Sequence, residues 1–170
     1  MAMIEKGFQF HNIVEFKMIG PDLWNLVKNS VMKLEAQFHP HLQQDEAEYS
    51  STFTNPESIS VGVFVETELL GYITGGPLEY YDSLKGVKDD PNFGLKNTVY
   101  IESVIVDEPY RNRGYGKELR RLFKNEATKK GYTYVTAHEI QGLPGRIGLI
   151  ELPNWYDTGK MYMYYQQKLK

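Results

Sequence analysis

The first third of the chain changes from a strand pattern to a helical one. Residues 8–17, FQFHNIVEFK, alternate apolar and polar positions and predict a strand. Pro21 and Asp22 then open a helix, because proline is favoured in a first helical turn. The apolar residues of this helix recur every three or four positions: Leu23, Leu26, Val27, Val31, Leu34 and Phe38. The polar stretch 39–58 predicts a second short helix followed by a loop.

Two strand patterns follow, joined by a short turn. Residues 59–67, ISVGVFVET, and residues 69–76, LLGYITGG, predict a β-hairpin. Residues 75–97 form a long connection rich in glycine, proline, aspartate and tyrosine. Because loops of this length inside a compact domain are often functional, we expect a lid or a substrate wall here.

The strongest strand pattern is TVYIESVIVDE at residues 98–108, which Pro109 ends. A segment with two glycines comes next, and then a helix that runs to about Lys130. Residues 132–140 and 160–169 predict two further strands, whereas residues 141–159 show no clear pattern. A strand, a turn, a helix and a strand in this order predict a crossover between parallel strands. The first part and the tail favour antiparallel pairing, so we predict one α+β domain over residues 1–170.

The composition restricts the class of protein. The chain has 170 residues, 41% of them apolar, so it can bury a core. It contains no cysteine, which excludes disulfides, thiolate metal sites and cysteine nucleophiles. No stretch approaches the ~20 apolar residues that span a bilayer, and residues 1–10 lack a signal-peptide core, so we expect a cytoplasmic protein without membrane contact. The net charge of −3 argues against a nucleic-acid binder.

Acidic residues cluster in two polar stretches. The clusters are Asp45, Glu46 and Glu48, and Glu79, Asp82, Asp89 and Asp90. A solvated surface explains them most simply. The alternative is a rim that attracts a cationic substrate.

The segment RNRGYGKELRRLF at residues 111–123 suits an anion, because glycines before a helix let backbone N–H groups approach a phosphate. A P-loop requires glycine at position 111 and serine or threonine after Lys117, and neither is present. A Rossmann fingerprint requires a third glycine where Leu119 stands. The pattern R/Q-x-x-G-x-G/A after a strand is matched by Arg111, Gly114 and Gly116.

With this motif, the chain resembles the GNAT superfamily of acetyl-CoA-dependent N-acetyltransferases, most specifically over residues 98–137. The resemblance implies an α/β/α-layered fold, with a mixed, twisted sheet of about six to seven strands flanked by helices. It implies that the backbone of Val104, Ile105 and Val106 pairs with the pantetheine arm of coenzyme A. It also implies that the pyrophosphate binds at Arg111, Asn112, Arg113, Gly114, Tyr115, Gly116 and Lys117.

A basic face follows on the predicted helix, formed by Lys117, Arg120, Arg121 and Lys124. The solvated side of an amphipathic helix is the ordinary explanation. Contact with nucleic acid is a second, and contact with the 3′-phosphate of coenzyme A is a third.

Glu102 is the candidate general base, in a run that is otherwise apolar except for Ser103. Strand parity places Tyr100, Glu102, Val104 and Val106 on one face. Burial there would raise the pKa of the Glu102 carboxyl. Many GNAT enzymes carry a glutamate at the matching place, whereas the structural alternative is a carboxylate satisfied by a nearby lysine or tyrosine.

Tyr156 is the candidate general acid. Relatives often carry this tyrosine in F-Y-x-x-x-G-F, and here Trp155 and Tyr156 form the aromatic pair. The chain departs from the pattern, because Gly159 arrives one residue early and Pro153 stands where a helix would run. Residues 155–160 therefore also suit a turn between the last two strands. Tyr164 and Tyr165 are weaker alternatives and suit a core better.

Two histidine positions carry further alternatives. His138 closes a predicted strand beside the cleft and is a reserve base, although a packed histidine is the commoner case. His39 and His41, followed by Asp45, suggest a metal only weakly, and the reaction requires none.

The sequence thus predicts direct acetyl transfer from acetyl-CoA to a primary amine of a small molecule or peptide, without a metal and without nucleic acid. The competing interpretation is a non-catalytic acyl-CoA-binding sensor or partner-binding domain of the same fold. Dimers are common in the family, so the resemblance also allows a homodimer. The identity of the amine and the length of the acyl group are left open.

Overall fold

The structure, a computed structural model, describes residues 12–140 and 147–170. Its helices are α1 Pro21–Glu35, α2 Glu46–Thr54 and α3 Tyr115–Lys129. Its strands are β1 Val14–Met18, β2 Ile59–Val65, β3 Glu68–Pro77, β4 Thr98–Val106, β5 Tyr134–Ile140, β6 Ile147–Leu152 and β7 Tyr162–Lys168. Short 3₁₀ turns lie at Pro40–Leu42, Leu78–Tyr81, Glu108–Tyr110 and Trp155–Asp157.

The strands form one mixed sheet in the order β1-β2-β3-β4-β5-β7-β6. All neighbouring pairs are antiparallel except β4 and β5, which are parallel and are connected through α3. This confirms the predicted hairpin of β2 and β3, the parallel crossover and the antiparallel tail.

The helices lie in two layers because each has one apolar face to bury against the sheet. On one side, Leu119, Phe123 and Ala127 of α3 pack on strands β2 to β5. On the other side, α1 and α2 bury Trp24 and Phe53, whose rings stack with centroids 4.7 Å apart. The predicted α+β fold with helices on both faces is therefore confirmed.

The long connection after β3 packs against the sheet. Leu78 and Val87 are fully buried and form a third small core with Tyr100 and Tyr164. The connection is thus anchored in the core, and its role as a lid or a substrate wall stays a prediction.

A bulge interrupts β4 at its centre. Gly75 of β3 pairs with Ile101, and Thr74 pairs with Ser103, so Glu102 is the extra residue. Ile101, Val104 and Val106 pack on the α3 side, whereas Ser103 reaches Tyr49 of α2 on the other side. The predicted parity is wrong, because the extra residue turns Val104 and Val106 to the face opposite Tyr100 and Glu102.

Beyond the bulge, β4 and β5 separate. They pair only from Thr98 with Tyr134 to Tyr100 with Thr136. β5 continues to Ile140 by pairing with β7 instead. Among the described residues, the second half of β4 therefore has an open edge on the side facing β5.

The structure changes one predicted bound and adds one strand. α1 ends at Glu35, three residues before Phe38, which still packs on the α1–α2 core. β6, an edge strand within residues 141–159, was not predicted. Residues 1–11 and 141–146 lie outside the described part, so the predicted strand over 8–17 is seen only as β1.

We predict that Gly75→Ala destabilises the fold by at least about 2 kcal/mol in urea unfolding. A Cβ at this position would overlap the carbonyl oxygen of Tyr100, where β3 closes on the bulge. Gly20→Ala is the matched control, because Gly20 has φ −100° and no atom within 4 Å of an added Cβ. The Gly20→Ala substitution should lower the free energy of unfolding by less than about 1 kcal/mol. Equal stability of the two variants would show that the bulge tolerates a side chain.

Candidate functional site

The turn before α3 exposes a row of backbone N–H groups. Asn112 and Gly114 adopt left-handed conformations, with φ of 61° and 83°, and Gly114 is the N-cap of α3. The first amide that bonds within the helix is that of Glu118, which donates to Gly114 O at 3.0 Å. The amides of residues 112–117 have no acceptor among the described residues. Such a row at a helix N-terminus favours a phosphate-sized anion.

A groove of about 330 Å³ leads from this turn along the open edge of β4. It is lined by Gln37, Phe38, Val104, Ile105, Val106, Arg111, Gly116 and Arg120. The sequence-predicted residues of strand and turn are thus brought together, and α1 adds Gln37 and Phe38 just beyond its end.

The backbone of β4 alternates in direction along this edge. Asp107 N–H donates to Leu70 O of β3 at 2.8 Å, so the carbonyl of Val106, in the same peptide plane, points away from β3. Because the direction alternates from residue to residue in an antiparallel strand, the N–H and C=O groups of Val104 and Val106 point to the open edge. Those of Ile105 face Tyr72 instead, so Ile105 lines the groove but departs from the predicted backbone role.

Arg111 lies at the end of the open edge. Its Nε donates to Val106 O at 2.9 Å, and its guanidinium also donates to Gln37 Oε1 at 3.0 Å. Gln37 in turn donates to Asp107 at 2.7 Å. Arg111 thus connects the end of α1 to the end of β4 and places a positive charge beside the groove.

The other basic residues near the turn divide into two groups. Arg113 is exposed and lies over the ring of Tyr110, while Tyr115 contacts Phe16 of β1 edge to face. Lys117 is exposed at the start of α3. Farther along the basic face, Arg120 pairs with Glu139 of β5 and Arg121 pairs with Glu118. At least two of the four charges of this face are therefore compensated, which weakens the nucleic-acid alternative.

Glu102 lies in the bulge on the α1–α2 side of the sheet. Tyr81 donates to its carboxylate at 3.2 Å, and the side chains of Thr52 and Gln44 lie close to it. Burial raises the pKa of the Glu102 carboxyl, and these three polar side chains partly oppose this rise. The pKa of Glu102 is thus moved toward the range of a general base.

Tyr156 lies in the 3₁₀ turn between β6 and β7, which confirms that residues 155–160 form a turn. Its side chain is 48% exposed, and its carbonyl accepts from His41 Nδ1 at 2.9 Å. Trp155 joins this turn to the sheet by stacking on His138 at 4.7 Å. Tyr156 adopts φ 47°, and its neighbours Asn154 and Asp157 are left-handed as well. A left-handed aromatic residue is a strained conformation.

His138 is held on both ring nitrogens. Nε2 lies 2.8 Å from the carbonyl of Lys85, which can only accept, so Nε2 carries the proton. Nδ1 therefore accepts from the Tyr100 hydroxyl at 2.8 Å. Burial lowers the pKa of His138 to about 4. The structure thus favours the packed histidine over the reserve base.

The remaining tyrosine candidates and the acidic clusters have structural contacts. Tyr164 is fully buried and donates to Asp90 at 2.6 Å, and Tyr165 is buried beside it on β7. Glu79 accepts from the backbone amides of Gly94 and Lys96 at 3.1 Å. Asp45 and Glu48 form a capping box at the start of α2. The acidic clusters are thus largely engaged in holding loops and a helix end.

Two kinds of site are not found in the described part of the chain. No group of three or more histidine and carboxylate side chains is arranged to hold a metal ion there. None of the helices has the length and apolarity needed to cross a bilayer.

Sequence reasoning missed Gln44 and Thr52 as neighbours of Glu102, and Gln37 as a groove residue. Gln44 comes immediately before the Asp45 cap of α2, so the capping signal would have placed it at a helix entrance. Gln37 lies beyond α1, where no periodicity indicates which way a side chain faces.

A family model supports the resemblance inferred from the motif. The model of the acetyltransferase (GNAT) family matches residues 26–151, which include most of α1, all of α2 and α3, the groove and Glu102. No curated protein matches the chain significantly.

Solved structures match over nearly the whole chain. NAA60 from Arabidopsis thaliana in complex with acetyl-CoA has a TM-score of 0.69 at 15% identity, covering 92% of this chain and 99% of that chain. The ribosomal-protein-S18-alanine N-acetyltransferase from Escherichia coli has a TM-score of 0.69 at 10% identity, covering 93% of this chain and 95% of that chain. An aminoglycoside 6′-N-acetyltransferase complexed with coenzyme A has a TM-score of 0.66 at 16% identity, covering 93% of this chain and 97% of that chain. At these identities the similarity establishes the fold.

We predict that His138 makes stability depend on pH. Its pKa is about 4 in the folded state against an ordinary value of 6.5, so the unfolded chain binds more protons between these values. The stabilisation is complete above pH 6.5 and is lost as the pH falls toward 4, by about 2 to 3 kcal/mol. Urea unfolding across this range should show the loss in wild type and a smaller one in His138→Phe. Parallel curves for the two proteins would contradict the assignment.

Proposed function

Because the chain belongs to the acetyltransferase (GNAT) family, we propose that it transfers an acetyl group from acetyl-CoA directly to a primary amine of a small molecule or peptide. The observation that carries the proposal is the arrangement along β4. An open backbone edge, a row of unbonded amides and a buried carboxyl follow one another along a single strand and its turn.

The residues present fit coenzyme A. The amides of residues 112–117 suit a pyrophosphate, which requires several converging donors. Val104 and Val106 offer backbone N–H and C=O groups to an extended amide-containing arm, as a neighbouring strand would use them. Arg111, Arg113 and Lys117 add positive charge at the turn, where phosphates would lie.

When bound, acetyl-CoA would supply an activated acetyl group as a thioester. Glu102 would take the proton from the substrate ammonium, directly or through a water molecule, so that the amine becomes nucleophilic. Its burial supports this role, because a raised pKa makes the carboxylate a stronger base. The Val104 N–H, turned to the open edge, would donate to the acyl oxygen as negative charge develops there.

Tyr156 is proposed as the acid that returns a proton to the departing sulfur. Its hydroxyl makes no hydrogen bond to a described residue, and its side chain is about half exposed, so it is free to serve a ligand. The contacts of Trp155 with His138, and of His138 with Tyr100, connect its turn to the side of the sheet that carries Glu102. The strained backbone at Tyr156 supports a functional reason for this conformation.

The surroundings of Glu102 support a positively charged amine. Besides Thr52 and Gln44, the groups that act on its charge are carboxylates and tyrosines, namely Glu35, Tyr72, Tyr81 and Tyr100. An ammonium group entering this region would meet partial and full negative charge. A polyamine, an aminoglycoside, a lysine side chain and a peptide N-terminus all satisfy this requirement.

The first experiment is calorimetric titration with acetyl-CoA. We expect saturable binding by wild type and a Kd at least about tenfold higher for Gly116→Val. An added Cβ at Gly116 meets only Val106 Cγ2, at 4.0 Å, so the fold should survive while the backbone is shielded from a phosphate. Gly20→Ala controls for a general effect of filling a glycine. Absence of binding at millimolar acetyl-CoA would reject the coenzyme A site.

The second experiment measures transfer to a panel of spermidine, kanamycin and a peptide with a free N-terminus. Because the protein has no cysteine, a thiol reagent reports only the coenzyme A released. We expect Glu102→Gln to lower kcat by about 10²-fold and Tyr156→Phe to lower it by a smaller factor, with acetyl-CoA affinity unchanged. Undiminished transfer by Glu102→Gln would remove it as the base. Tight acetyl-CoA binding without transfer to any amine would favour the sensor interpretation.

A further inference from the structure

One buried carboxyl has no part in the mechanism above. Glu35 is the last residue of α1 and is only 2% exposed. It follows Val27 and Val31 at a spacing of four, so it occupies the apolar stripe of the helix. A carboxyl in such a position is costly unless its oxygens are hydrogen-bonded, and it therefore calls for an explanation.

Each oxygen of Glu35 has a donor of its own. The backbone N–H of Gln44 donates to Oε1 at 2.6 Å. The Tyr49 hydroxyl donates to Oε2 at 2.6 Å, and Tyr72 donates to the same oxygen at 3.3 Å. The donors come from the α1–α2 connection, from α2 and from β3, so this carboxyl joins three separate segments.

The Oε2 side leads to the second residue of the β4 bulge. Because Tyr49 gives its only hydroxyl proton to Glu35, its oxygen accepts from the Ser103 hydroxyl, 2.7 Å away. Ser103 is thus hydrogen-bonded to Tyr49 of α2, and Glu35 orients the hydroxyl of this tyrosine.

The Oε1 side leads to the first residue of the bulge. The Gln44 backbone is held by Glu35, and the Gln44 side chain lies beside the Glu102 carboxylate. One oxygen of Glu35 is therefore hydrogen-bonded through Tyr49 to Ser103, and the other holds the residue whose side chain adjoins Glu102.

We propose that Glu35 is a positioning residue, which holds the β4 bulge through Tyr49 and Gln44 and so aims the Glu102 carboxyl at the substrate amine. The inference rests on the proposed role of Glu102 as the base. It adds a residue that touches neither substrate nor coenzyme A, and it explains why a carboxyl is retained in an apolar stripe.

The charges around both carboxyls give the proposal an electrostatic signature. Tyr49, Tyr72 and Glu48 face Glu35, and burial raises its pKa. The charge of Glu35 raises the pKa of Glu102, where the other facing groups are Tyr72, Tyr81 and Tyr100. Removal of the Glu35 charge should therefore lower the pKa of Glu102, a change that a purely structural role would not produce.

The test compares Glu35→Gln and Tyr49→Phe with wild type, and uses Glu68→Gln at the exposed start of β3 as the charge control. Steady-state kinetics with the best amine of the panel are measured from pH 5 to 9. We expect Glu35→Gln to lower kcat by about 10- to 100-fold with the KM for acetyl-CoA unchanged within about twofold. The acidic limb of the pH profile of kcat/KM should move to lower pH in Glu35→Gln. It should move much less in Tyr49→Phe, because this variant keeps the Glu35 charge.

Glu68→Gln should have the kcat of wild type and the same acidic limb of kcat/KM. Glu35→Gln with an unchanged kcat, or with an unmoved acidic limb, would overturn the proposal. Loss of acetyl-CoA affinity in parallel with kcat, in a variant that is folded by circular dichroism, would also overturn it, because the effect would then not be confined to Glu102. Tyr49→Phe and Ser103→Ala provide the kinetic test of the Oε2 side if Glu35→Gln does not fold.

A measurement that needs no amine separates this proposal from the proposed function. The Glu102 carboxyl is titrated by carbon-13 NMR in wild type and Glu35→Gln, labelled at glutamate and assigned with Glu102→Gln. A midpoint lower by about half a pH unit or more in Glu35→Gln supports the coupling. An unchanged midpoint overturns it, whether or not any amine is acetylated. Failure of wild type to acetylate any amine rejects the proposed function alone.

Discussion

The bulge in β4 opposite Gly75 is the constraint on which the arrangement of the site depends. A regular strand alternates its side chains between two faces, so Glu102 and Val104 would share a face. The extra residue lets Glu102 and Ser103 face the α1–α2 layer while Val104 and Val106 return to the apolar α3 layer. One residue inserted in a strand thus reconciles a polar cluster on one face with a continuous core on the other.

The same strand creates the groove, because it loses its neighbour where the bulge begins. β5 leaves β4 after Tyr100 and keeps its hydrogen bonds by pairing with β7. Backbone groups of β4 are left without a strand partner, and such groups need water or a ligand. The turn into α3 starts at the same end of β4, so the unbonded amides of residues 112–117 face the opening. An open edge and an anion site are therefore consequences of one topology.

Local periodicity predicted α1, the β2–β3 hairpin, β4 and α3, because their burial follows a regular period along the chain. It did not predict β6, whose side chains are mostly exposed and show no alternation. The face of Val104 was predicted wrongly because a single extra residue shifts parity and leaves no mark in composition. Glu35 did carry a signal, a charged residue at an apolar helical position after Val31, but its three donors lie far along the chain.

The two halves of the site are held by different layers of the fold. The amides of the turn are positioned by α3, which is fixed through Leu119 and Phe123 to one face of the sheet. Glu102 lies on the other face, where Tyr81 donates to it and side chains of the α1–α2 connection and of α2 lie close to it. β4 belongs to both halves, and Arg111 with Gln37 also ties the end of α1 to the end of β4. A change beside Glu102 therefore acts first on the carboxyl, whereas the amides stay held by α3 on the other face.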